Sequence, residues 1–337
     1  MSEAFQALTR CAAGGMIHRV IRAVACALAS MLVSIGAHAQ NYPAKPIRII
    51  VPYPPGGGTD VVARLIGQKL SESIGRPVIV DNRAGANGVI GTEATARAAP
   101  DGYTLGMATP GPVTVAKGLI PNLAYDPERD FAPVILANAS ANVFATHPSV
   151  PARSIKEFVA LARGQPMHVG VSAIGSVQHL LAEMMNRDAA AKLQIITYKG
   201  GAQVATDVVG GQIESMWNVL PVVLPLIQSG RVRPLAVASE KRSALLSNVP
   251  TMGEAGWPSV VAIAWNGVVA PAGTPRAIVT LLNKEIARGI DAPDIKERFA
   301  ALGMEPISGS PEDFDKFLKA ETAKWSQLVK AANIKAQ

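Results

Sequence analysis

Cysteine is almost absent from the sequence, and the position of its two copies excludes whole classes of chemistry. Cys11 and Cys26 both precede an Ala37-His38-Ala39 triplet, and no cysteine follows it. Disulfide frameworks and thiolate nucleophiles both require cysteine in the folded part of a chain. We therefore expect neither a disulfide nor cysteine chemistry beyond residue 39.

Catalytic and metal-binding patterns are also missing. Beyond residue 39 the histidines are His147, His168 and His179, and none has H-E-x-x-H or another metal-ligand spacing. The stretch 170–174 departs from the G-x-S-x-G nucleophile turn at its last position. We expect no catalytic residue, no metal and no cofactor. An exported hydrolase remains an alternative, since missing motifs do not exclude an enzyme.

Aromatic residues make up only 5% of the chain, and the charge excess is small for its length. Removing the first 39 residues takes away three arginines and one glutamate, which lowers the formal net charge from +7 to +5. A mild positive excess suits the capture of small anions, whereas nucleic-acid binding usually needs a concentrated basic stripe. We expect no nucleic-acid partner.

The first 39 residues have the pattern of an export signal. Arg19 and Arg22 precede an apolar stretch at 23–35, and the Ala37-His38-Ala39 triplet fits a cleavage site. The apolar stretch is too short and too rich in alanine for a good membrane span. We expect a signal peptide at 1–39 that is cleaved near Ala39 and a mature protein in a Gram-negative periplasm, with Met16 as an alternative start.

A strand, a glycine-rich loop and a helix follow one another at 49–70. Residues 49–51 are apolar, three glycines occupy 56–58, and Thr59 or Asp60 is suited to cap the helix. This arrangement aims free backbone N–H groups at an anion. The loop lacks the lysine of a Walker A motif and the third glycine of a dinucleotide motif. A tight turn with no ligand is the alternative interpretation.

The same order of elements recurs along the chain. Apolar runs lead into glycine-containing loops at 82–88, 172–176 and 198–201, and each loop precedes a helical pattern. Parallel strands place such loops at one edge of a sheet, where α/β proteins bind their ligands. With 49% apolar residues and 337 residues in all, the sequence predicts two α/β domains.

Eight short motifs in this order resemble those of the Bug-type, TctC-like solute-binding proteins, the periplasmic receptors of tripartite tricarboxylate transporters. The motifs are P-x-P-P-G-G-G-T-D at 52–60, N-R-A-G-A-N-G at 82–88, D-G-Y-T-L at 101–105, Y-D-P at 125–127, H-P-S-V-P at 147–151, Y-K-G at 198–200, G-G-Q at 210–212 and A-P-A-G-T-P at 270–275. The resemblance covers essentially the whole chain beyond the leader.

This resemblance implies a two-domain periplasmic binding protein of type II, a Venus flytrap, with its ligand in the cleft between the domains. Residues 40–142 and 266–337 would form the first domain and residues 143–265 the second, with chain crossings near 141–146 and near Trp265. The implied partners are a small carboxylate and the membrane subunits of a transporter, and the implied state is a monomer. A periplasmic ligand sensor for a signalling system is the alternative.

The resemblance also implies a set of ligand-binding residues. From the first domain they are Tyr53, Pro55, Gly56, Gly57, Thr59, Asp60, Ala86, Asn87, Gly88 and Thr109. From the second they are Ala173, Gly175, Ser176, His179, Lys199, Gly200 and Asn218. Ordinary roles compete with this assignment, because His179 could simply pack, Asp60 could cap a helix and Lys199 could be a solvated surface residue. Trp265 is expected to fill a domain junction rather than stack on a ligand.

Asn218 departs from the family pattern, in which many members carry aspartate. Losing a carboxylate there would remove the natural partner of an ammonium group, and Trp217 would add aromatic surface. Ile174 would make the neighbouring wall more apolar. We therefore expect a ligand without an amine, either a dicarboxylate or an aromatic acid.

Overall fold

A computed structural model of the chain describes residues 42–331, in which strands and helices alternate. The strands are β1 (Ile47–Val51), β2 (Val78–Asn82), β3 (Thr104–Ala108), β4 (Phe131–Thr146), β5 (Met167–Val171), β6 (Leu193–Thr197), β7 (Ser215–Val219), β8 (Arg233–Val237), β9 (Ile263–Pro271) and β10 (Met304–Pro306). The predicted signal peptide and its cleavage site lie outside the described residues.

The α-helices differ widely in length. They are α1 (Gly58–Ile74), α2 (Val89–Ala96), α3 (Ala116–Leu119), α4 (Ile155–Gly164), α5 (Val177–Asp188), α6 (Gly201–Val209), α7 (Leu220–Gln228), α8 (Arg276–Ile290), α9 (Pro293–Ala301) and α10 (Pro311–Ala331). Short 3₁₀ turns occupy Ala86–Gly88 and Ala244–Leu246, and one π-helical turn, Gly111–Val115, precedes α3. No helix in the described part of the chain is both long enough and apolar enough to cross a bilayer.

Three parallel strands form one edge of the first sheet. β1 pairs with β2 on one side and with β3 on the other, and β3 then pairs antiparallel with β9. The carboxyl ends of β1, β2 and β3 therefore lie at the same edge. The chain leaves that edge through the predicted glycine loops at 52–57 and 83–88 and through a turn at 109–111.

A second group of strands repeats this arrangement. β5 pairs parallel with both β6 and β7, while β7 pairs antiparallel with β4. The carboxyl ends of β5, β6 and β7 lead into the 172–176 loop, the 198–201 loop and the start of α7. The six connections that follow these parallel strands therefore lie at two sheet edges, three at each.

β4 joins the two groups of strands. It pairs with β9 from Phe131 to Ala141 and with β7 from Asn142 to Thr146. The apolar runs at 134–137 and 143–146 predict two separate strands, and that prediction is wrong because one strand covers both. The polar residues between them do not break the strand, because hydrogen bonding to β9 continues through them and two register shifts absorb the irregularity.

The N-terminal caps of three helices can be compared with the caps that the sequence predicts. Ser154 with Glu157 three residues later matches the capping-box pattern, and Ser154 accepts a hydrogen bond from the Glu157 N–H at the start of α4. The predicted cap at Thr59 or Asp60 is wrong, because Gly57 is the N-cap of α1 and offers no side chain. The Thr274-Pro275 pair predicts Thr274 as the cap of α8, but the cap is Pro275, one residue later.

The aromatic residues fill the interior. Trp217 is fully buried and packs edge-on against Phe144, so it offers no surface to a ligand, contrary to expectation. Trp265 packs edge-on against Phe314 and Phe317 of α10. Trp265 therefore fills space between the sheet and α10, which agrees with the non-ligand role expected for it.

One buried cluster combines residues that the predicted domain boundary separates. Leu119 of α3 and Trp325 of α10 share a hydrophobic core with Phe144, Leu180 and Trp217. The segments 115–119 and 325–329 therefore pack with the core of residues 143–265, although they precede and follow it in the chain.

Candidate functional site

The first sheet edge brings Tyr53 and Thr109 together. Their hydroxyl oxygens are 3.0 Å apart, although 56 residues separate them in the sequence. Burial raises the pKa of Tyr53 to about 12, and the hydrogen bond to Thr109 only partly offsets that effect. The phenol therefore keeps its proton at neutral pH and can donate it in a hydrogen bond.

Asp60 holds the first glycine loop in place through hydrogen bonds. Its buried carboxylate accepts hydrogen bonds from the Gly56 N–H at 2.9 Å, from the Asn82 amide at 3.0 Å and from the Arg64 guanidinium at 2.9 Å. Burial acts to raise the pKa of Asp60, but these hydrogen bonds and the Arg64 charge outweigh it and hold the pKa below the usual value. Asp60 therefore orients the loop and has little capacity left for a ligand.

The remaining predicted residues of this loop lie around the start of α1. Pro55 and Gly56 are exposed, whereas Gly57 and Thr59 are half-buried. The Gly57 carbonyl accepts a hydrogen bond from the Val61 N–H, which begins the helix. The first turn of α1 thus presents unpaired N–H groups typical of a helix N-terminus.

The second loop has an unusual backbone. Gly85, Ala86, Asn87 and Gly88 all have positive φ, with values of 45° at Ala86 and 50° at Asn87. Such values are costly for alanine and better tolerated by asparagine. Gly88 packs closely against the ring of Tyr53, since a Cβ built there would lie 3.3 Å from that ring. The loop therefore holds Asn87 over the first sheet edge, and of its four residues with positive φ it is Ala86 whose residue type disfavours that conformation.

On the second sheet edge, four predicted residues form the start of α5. Ser176 caps the helix by accepting the His179 N–H, and its hydroxyl donates to the Ala173 carbonyl at 2.7 Å. The Gly175 N–H donates to Nδ1 of His179 at 3.4 Å. These side chains therefore shape the 172–176 loop itself.

His179 is uncharged in this setting. Its Nδ1 accepts a hydrogen bond, so the ring proton lies on Nε2, which is 3.8 Å from the Glu183 carboxylate. Burial lowers the pKa of His179 and raises that of Glu183. His179 consequently supports the loop as a neutral acceptor and adds no positive charge to the site.

Lys199 and Gly200 lie in the connection that follows β6, and Asn218 lies in the neighbouring strand β7. Lys199 is exposed, and its N–H donates to the Gln203 side chain, while Gly200 caps α6. Asn218 is buried, and its amide donates to the Gly201 carbonyl at 2.8 Å while its oxygen accepts the Val219 N–H at 2.9 Å. Asn218 therefore holds the start of α6 in place.

The two sheet edges meet at Asn87 and Gly175. A Cβ built on Gly175 would lie 3.5 Å from Nδ2 of Asn87 and 2.8 Å from Cδ1 of Leu119. The Asn87 amide also lies against Gly111, where a Cβ would be 2.8 Å away. These contacts bring Tyr53, Asn87, Gly88, Thr109 and Gly175 into one region. Their role in binding a ligand stays a prediction.

Sequence reasoning missed two residues of this region. Gly111 follows a strand directly and carries a recognisable turn signal in Thr109-Pro110-Gly111. Leu119 has no such signal, because the sequence pattern around a leucine in a short helix is that of an ordinary core residue. Its contact with Gly175 arises only from the packing of α3 against the second sheet edge.

A surface cavity of about 390 Å³ lies elsewhere, between Lys117 and Asp130. The Lys117 ammonium there is 3.1 Å from Asp126 and 3.2 Å from Glu128. Its charge is already matched by acids, so the cavity does not offer an anion site. Within residues 42–331 no three acidic, histidine or cysteine side chains are grouped to hold a metal ion.

The family comparison agrees with this geometry. The model of the tripartite tricarboxylate transporter family receptor matches residues 62–334, which is most of the chain. The chain belongs to this receptor family. It is therefore a periplasmic solute-binding receptor, and the family works with the membrane subunits of a transporter.

Individual relatives are similar over nearly their whole length. Protein BugT of Bordetella pertussis is 37% identical over 320 residues, which cover 94% of this chain and 98% of BugT. The solved structure of Rpa4515 from R. palustris with adipate is 36% identical, has a TM-score of 0.84 and covers 87% of this receptor and 99% of that chain.

A second solved structure is MatC (Rpa3494) from Rhodopseudomonas palustris with bound malate. It is 30% identical with a TM-score of 0.80, and the match covers 86% of this receptor and all of that chain. These likenesses give the receptor the two-domain α/β fold of periplasmic binding proteins, as the sequence predicts.

Proposed function

We propose that this receptor captures a small carboxylate without an amine, preferably a dicarboxylate, where the 83–88 loop meets the 172–176 loop. The contact between Asn87 and Gly175 carries the proposal, because it joins the carboxyl ends of parallel strands from both sheet edges. Ligands of open α/β sheets bind at this edge. The proposed site residues are those predicted from the sequence, with Gly111 added. Among them Asp60, Ser176, His179 and Asn218 act by holding the loops in place, because their polar atoms are engaged there.

Backbone groups supply most of the attraction for an anion. The helices α1, α5 and α6 begin at glycine or serine next to the loops, and their N-termini carry partial positive charge. The side chains of Tyr53 and His179 are neutral there. An anion can therefore bind without an arginine, through N–H groups and helix dipoles.

The site has no free carboxylate for an ammonium group among its predicted residues. Asp60 is the one acidic residue in the set, and its oxygens are engaged by Gly56, Asn82 and Arg64. Asn218 is neutral. An amino acid would therefore bury its ammonium without a charged partner, which costs binding free energy. The buried position of Trp217 favours a dicarboxylate over an aromatic acid.

Two solved relatives are consistent with this ligand class. Rpa4515 contains adipate and MatC contains malate, and both acids carry two carboxylates and no amine. Transfer of the ligand class to this receptor rests on the shared fold and family, together with the neutral residue at 218.

We further propose that the binding unit closes as two domains, residues 40–142 with 266–337 and residues 143–265. The change of partner along β4, from β9 to β7 at Asn142, supports a boundary there. The segments 115–119 and 325–329 are exceptions to these bounds, because Leu119 and Trp325 pack with the second core, and we propose that they move with it. Closure around the ligand would produce the state that the membrane subunits recognise.

The remaining parts of the proposal concern cleavage of the leader, the oligomeric state and the absence of catalysis. We propose that the chain is exported with cleavage near Ala39, acts as a monomer and catalyses no reaction. Mass spectrometry of the exported protein gives the cleavage point, and light scattering gives its mass in solution. A mature N-terminus other than Gln40, or a stable dimer, would contradict those parts separately.

Matched ligand pairs test the ligand class most directly. Adipate and 2-aminoadipate differ by one ammonium group, and malate and aspartate differ by a hydroxyl in its place. The protein is unfolded and refolded to remove bound ligand, and its thermal unfolding is followed with each acid and with benzoate. A ligand at a hundred times its Kd stabilises by about 2.7 kcal/mol, which is readily detected.

We expect adipate or malate to raise the unfolding temperature more than its amine-bearing counterpart. A response to the amino acids alone would keep the receptor function and refute the ligand class. Strengthened 2-aminoadipate binding by Asn218→Asp would support the role of charge at 218. No response to any carboxylate would overturn the proposal.

A further inference from the structure

Asn142 sits at the point where β4 changes partner. Its side chain is fully buried, with Nδ2 donating to the Ala262 carbonyl at 3.0 Å and Oδ1 accepting from Nε2 of Gln178 at 2.6 Å. Ala262 directly precedes β9, the other strand that runs between the two groups of strands. One side chain therefore links both crossing segments to α5.

Gln178 continues this link to the candidate site. It is the second residue of α5, it is buried, and its Oε1 accepts the Ser172 hydroxyl at 3.0 Å. Ser172 begins the 172–176 loop, in which Gly175 meets Asn87. A continuous chain of side-chain hydrogen bonds thus runs from the loop through Gln178 and Asn142 to Ala262.

Backbone hydrogen bonds anchor the far end of this chain. The Ala238 N–H donates to the Asn142 carbonyl at 2.8 Å, and the Ala262 N–H donates to the Ala238 carbonyl at 2.9 Å. Asn142 therefore holds its neighbours through both its side chain and its main chain. A shift of the 172–176 loop cannot leave the crossing segments unaffected unless one of these buried hydrogen bonds breaks.

We infer that Gln178 and Asn142 are positioning residues that couple the 172–176 loop to the crossing segments at Asn142 and Ala262. The inference rests on the proposed function for its ligand, but its geometry does not depend on which ligand binds. Buried hydrogen bonds in a low-dielectric interior are costly to leave unmade. The position of the loop and the angle at which the crossing segments join the two groups of strands consequently change together. A ligand bound at the loop stabilises one of these angles.

Two substitutions interrupt the coupling, and a third serves as the control. Asn142→Asp keeps the acceptor for Gln178 but, in its ionised form, cannot donate to Ala262. Gln178→Met has similar bulk and can make neither bond. Asn186→Asp is the control, because it makes the same chemical change as Asn142→Asp at another position. Asn186, near the end of α5, donates to the Leu193 carbonyl and accepts the Leu193 N–H, so its side chain holds the start of β6 and not the crossing segments.

The first measurement needs no ligand. Spin labels are placed at Gln68→Cys in α1 and Lys156→Cys in α4, both exposed, in the full chain with Cys11→Ser and Cys26→Ser. We expect Asn142→Asp and Gln178→Met to shift or broaden the distribution of distances between the labels. Asn186→Asp should match the unsubstituted protein. Identical distributions in all variants would overturn the inference.

The second measurement uses adipate binding by calorimetry. We expect Asn142→Asp and Gln178→Met to weaken binding about tenfold, as expected for one lost buried hydrogen bond, and Asn186→Asp to leave it unchanged. Equal affinities in all four proteins would contradict the coupling. If the unsubstituted protein binds no carboxylate, the proposed function fails, whereas the label distances still decide the inference. Gln178→Met provides the test if Asn142→Asp does not fold.

Discussion

Leu119 and Gly175 are in contact where the two sheet edges meet. A Cβ on Gly175 would lie 2.8 Å from Cδ1 of Leu119, and the φ of Gly175 is +73°. Both features favour glycine, the first by space and the second by backbone conformation. The two contributions can be separated by substitution.

We predict that Gly175→Ala lowers the free energy of unfolding by more than the roughly 1–2 kcal/mol expected for left-handed alanine alone. Gly75→Ala is the matched control, because Gly75 has φ +65° and nothing within 4 Å of its Cβ position. In a Leu119→Ala background the excess cost should shrink. Urea titrations of five proteins measure it: the unsubstituted protein, Gly175→Ala, Gly75→Ala, Leu119→Ala and the Gly175→Ala/Leu119→Ala double variant. An unchanged excess would show that the contact does not constrain residue 175.

The carboxylate of Asp60 should make stability depend on acid pH. Its pKa is lower in the folded protein than in the unfolded chain, because hydrogen bonds from Arg64, Gly56 and Asn82 outweigh burial. The ionised carboxylate therefore contributes fully to the free energy of unfolding above the pKa of the unfolded chain, about 3.9. That contribution is lost as the pH falls through the pKa of the folded protein.

Asp60→Asn tests this contribution. We expect the variant to be less stable at pH 7 by about 1–3 kcal/mol, since it loses charged hydrogen bonds in a buried position. The difference from the unsubstituted protein should narrow below about pH 4. Urea unfolding at several pH values measures it, and a difference that stays constant down to pH 3 would contradict the assignment.

His179 should contribute in a different pH range. Burial lowers its pKa in the folded protein, so the unfolded chain takes up the proton first as the pH falls. Stability from the neutral ring is therefore complete above about pH 6.5 and declines as the pH falls below it.

We predict that His179→Gln flattens this decline, because glutamine does not titrate and its oxygen can still accept the Gly175 N–H. The readout is the difference in unfolding free energy between the two proteins from pH 7.5 to pH 5. The carboxylate facing the ring is Glu183, so Glu183→Gln is the companion variant. Parallel pH profiles for His179→Gln and the unsubstituted protein would refute the prediction.

Two helix starts give a direct contrast between capped and uncapped positions. Ser154→Ala should cost about 1 kcal/mol, because Ser154 accepts the Glu157 N–H. Thr59→Ala should change stability by less than about 0.5 kcal/mol, since Thr59 lies inside the first turn of α1 and makes no cap. Thermal unfolding of both variants measures the difference, and equal losses would be inconsistent with the cap assignments.

Local patterns in the sequence predicted much of the fold. Glycine loops between apolar runs identified the strand–loop–helix units, because glycine ends regular structure and allows close backbone approach. The Ser154 cap was predictable because its partner is three residues away. The receptor family was recognisable from eight motifs whose order and spacing lie in the sequence itself.

Tertiary structure alone decided the roles that depend on distant partners. Asn142 meets Gln178 across 36 residues and Ala262 across 120, so no local pattern could single it out. Asp60 looked like a helix cap, but it binds Arg64 and Asn82 because β2 brings Asn82 beside α1. The continuity of β4 also depended on β9, since a strand of polar and small residues forms only when its hydrogen bonds have a neighbour.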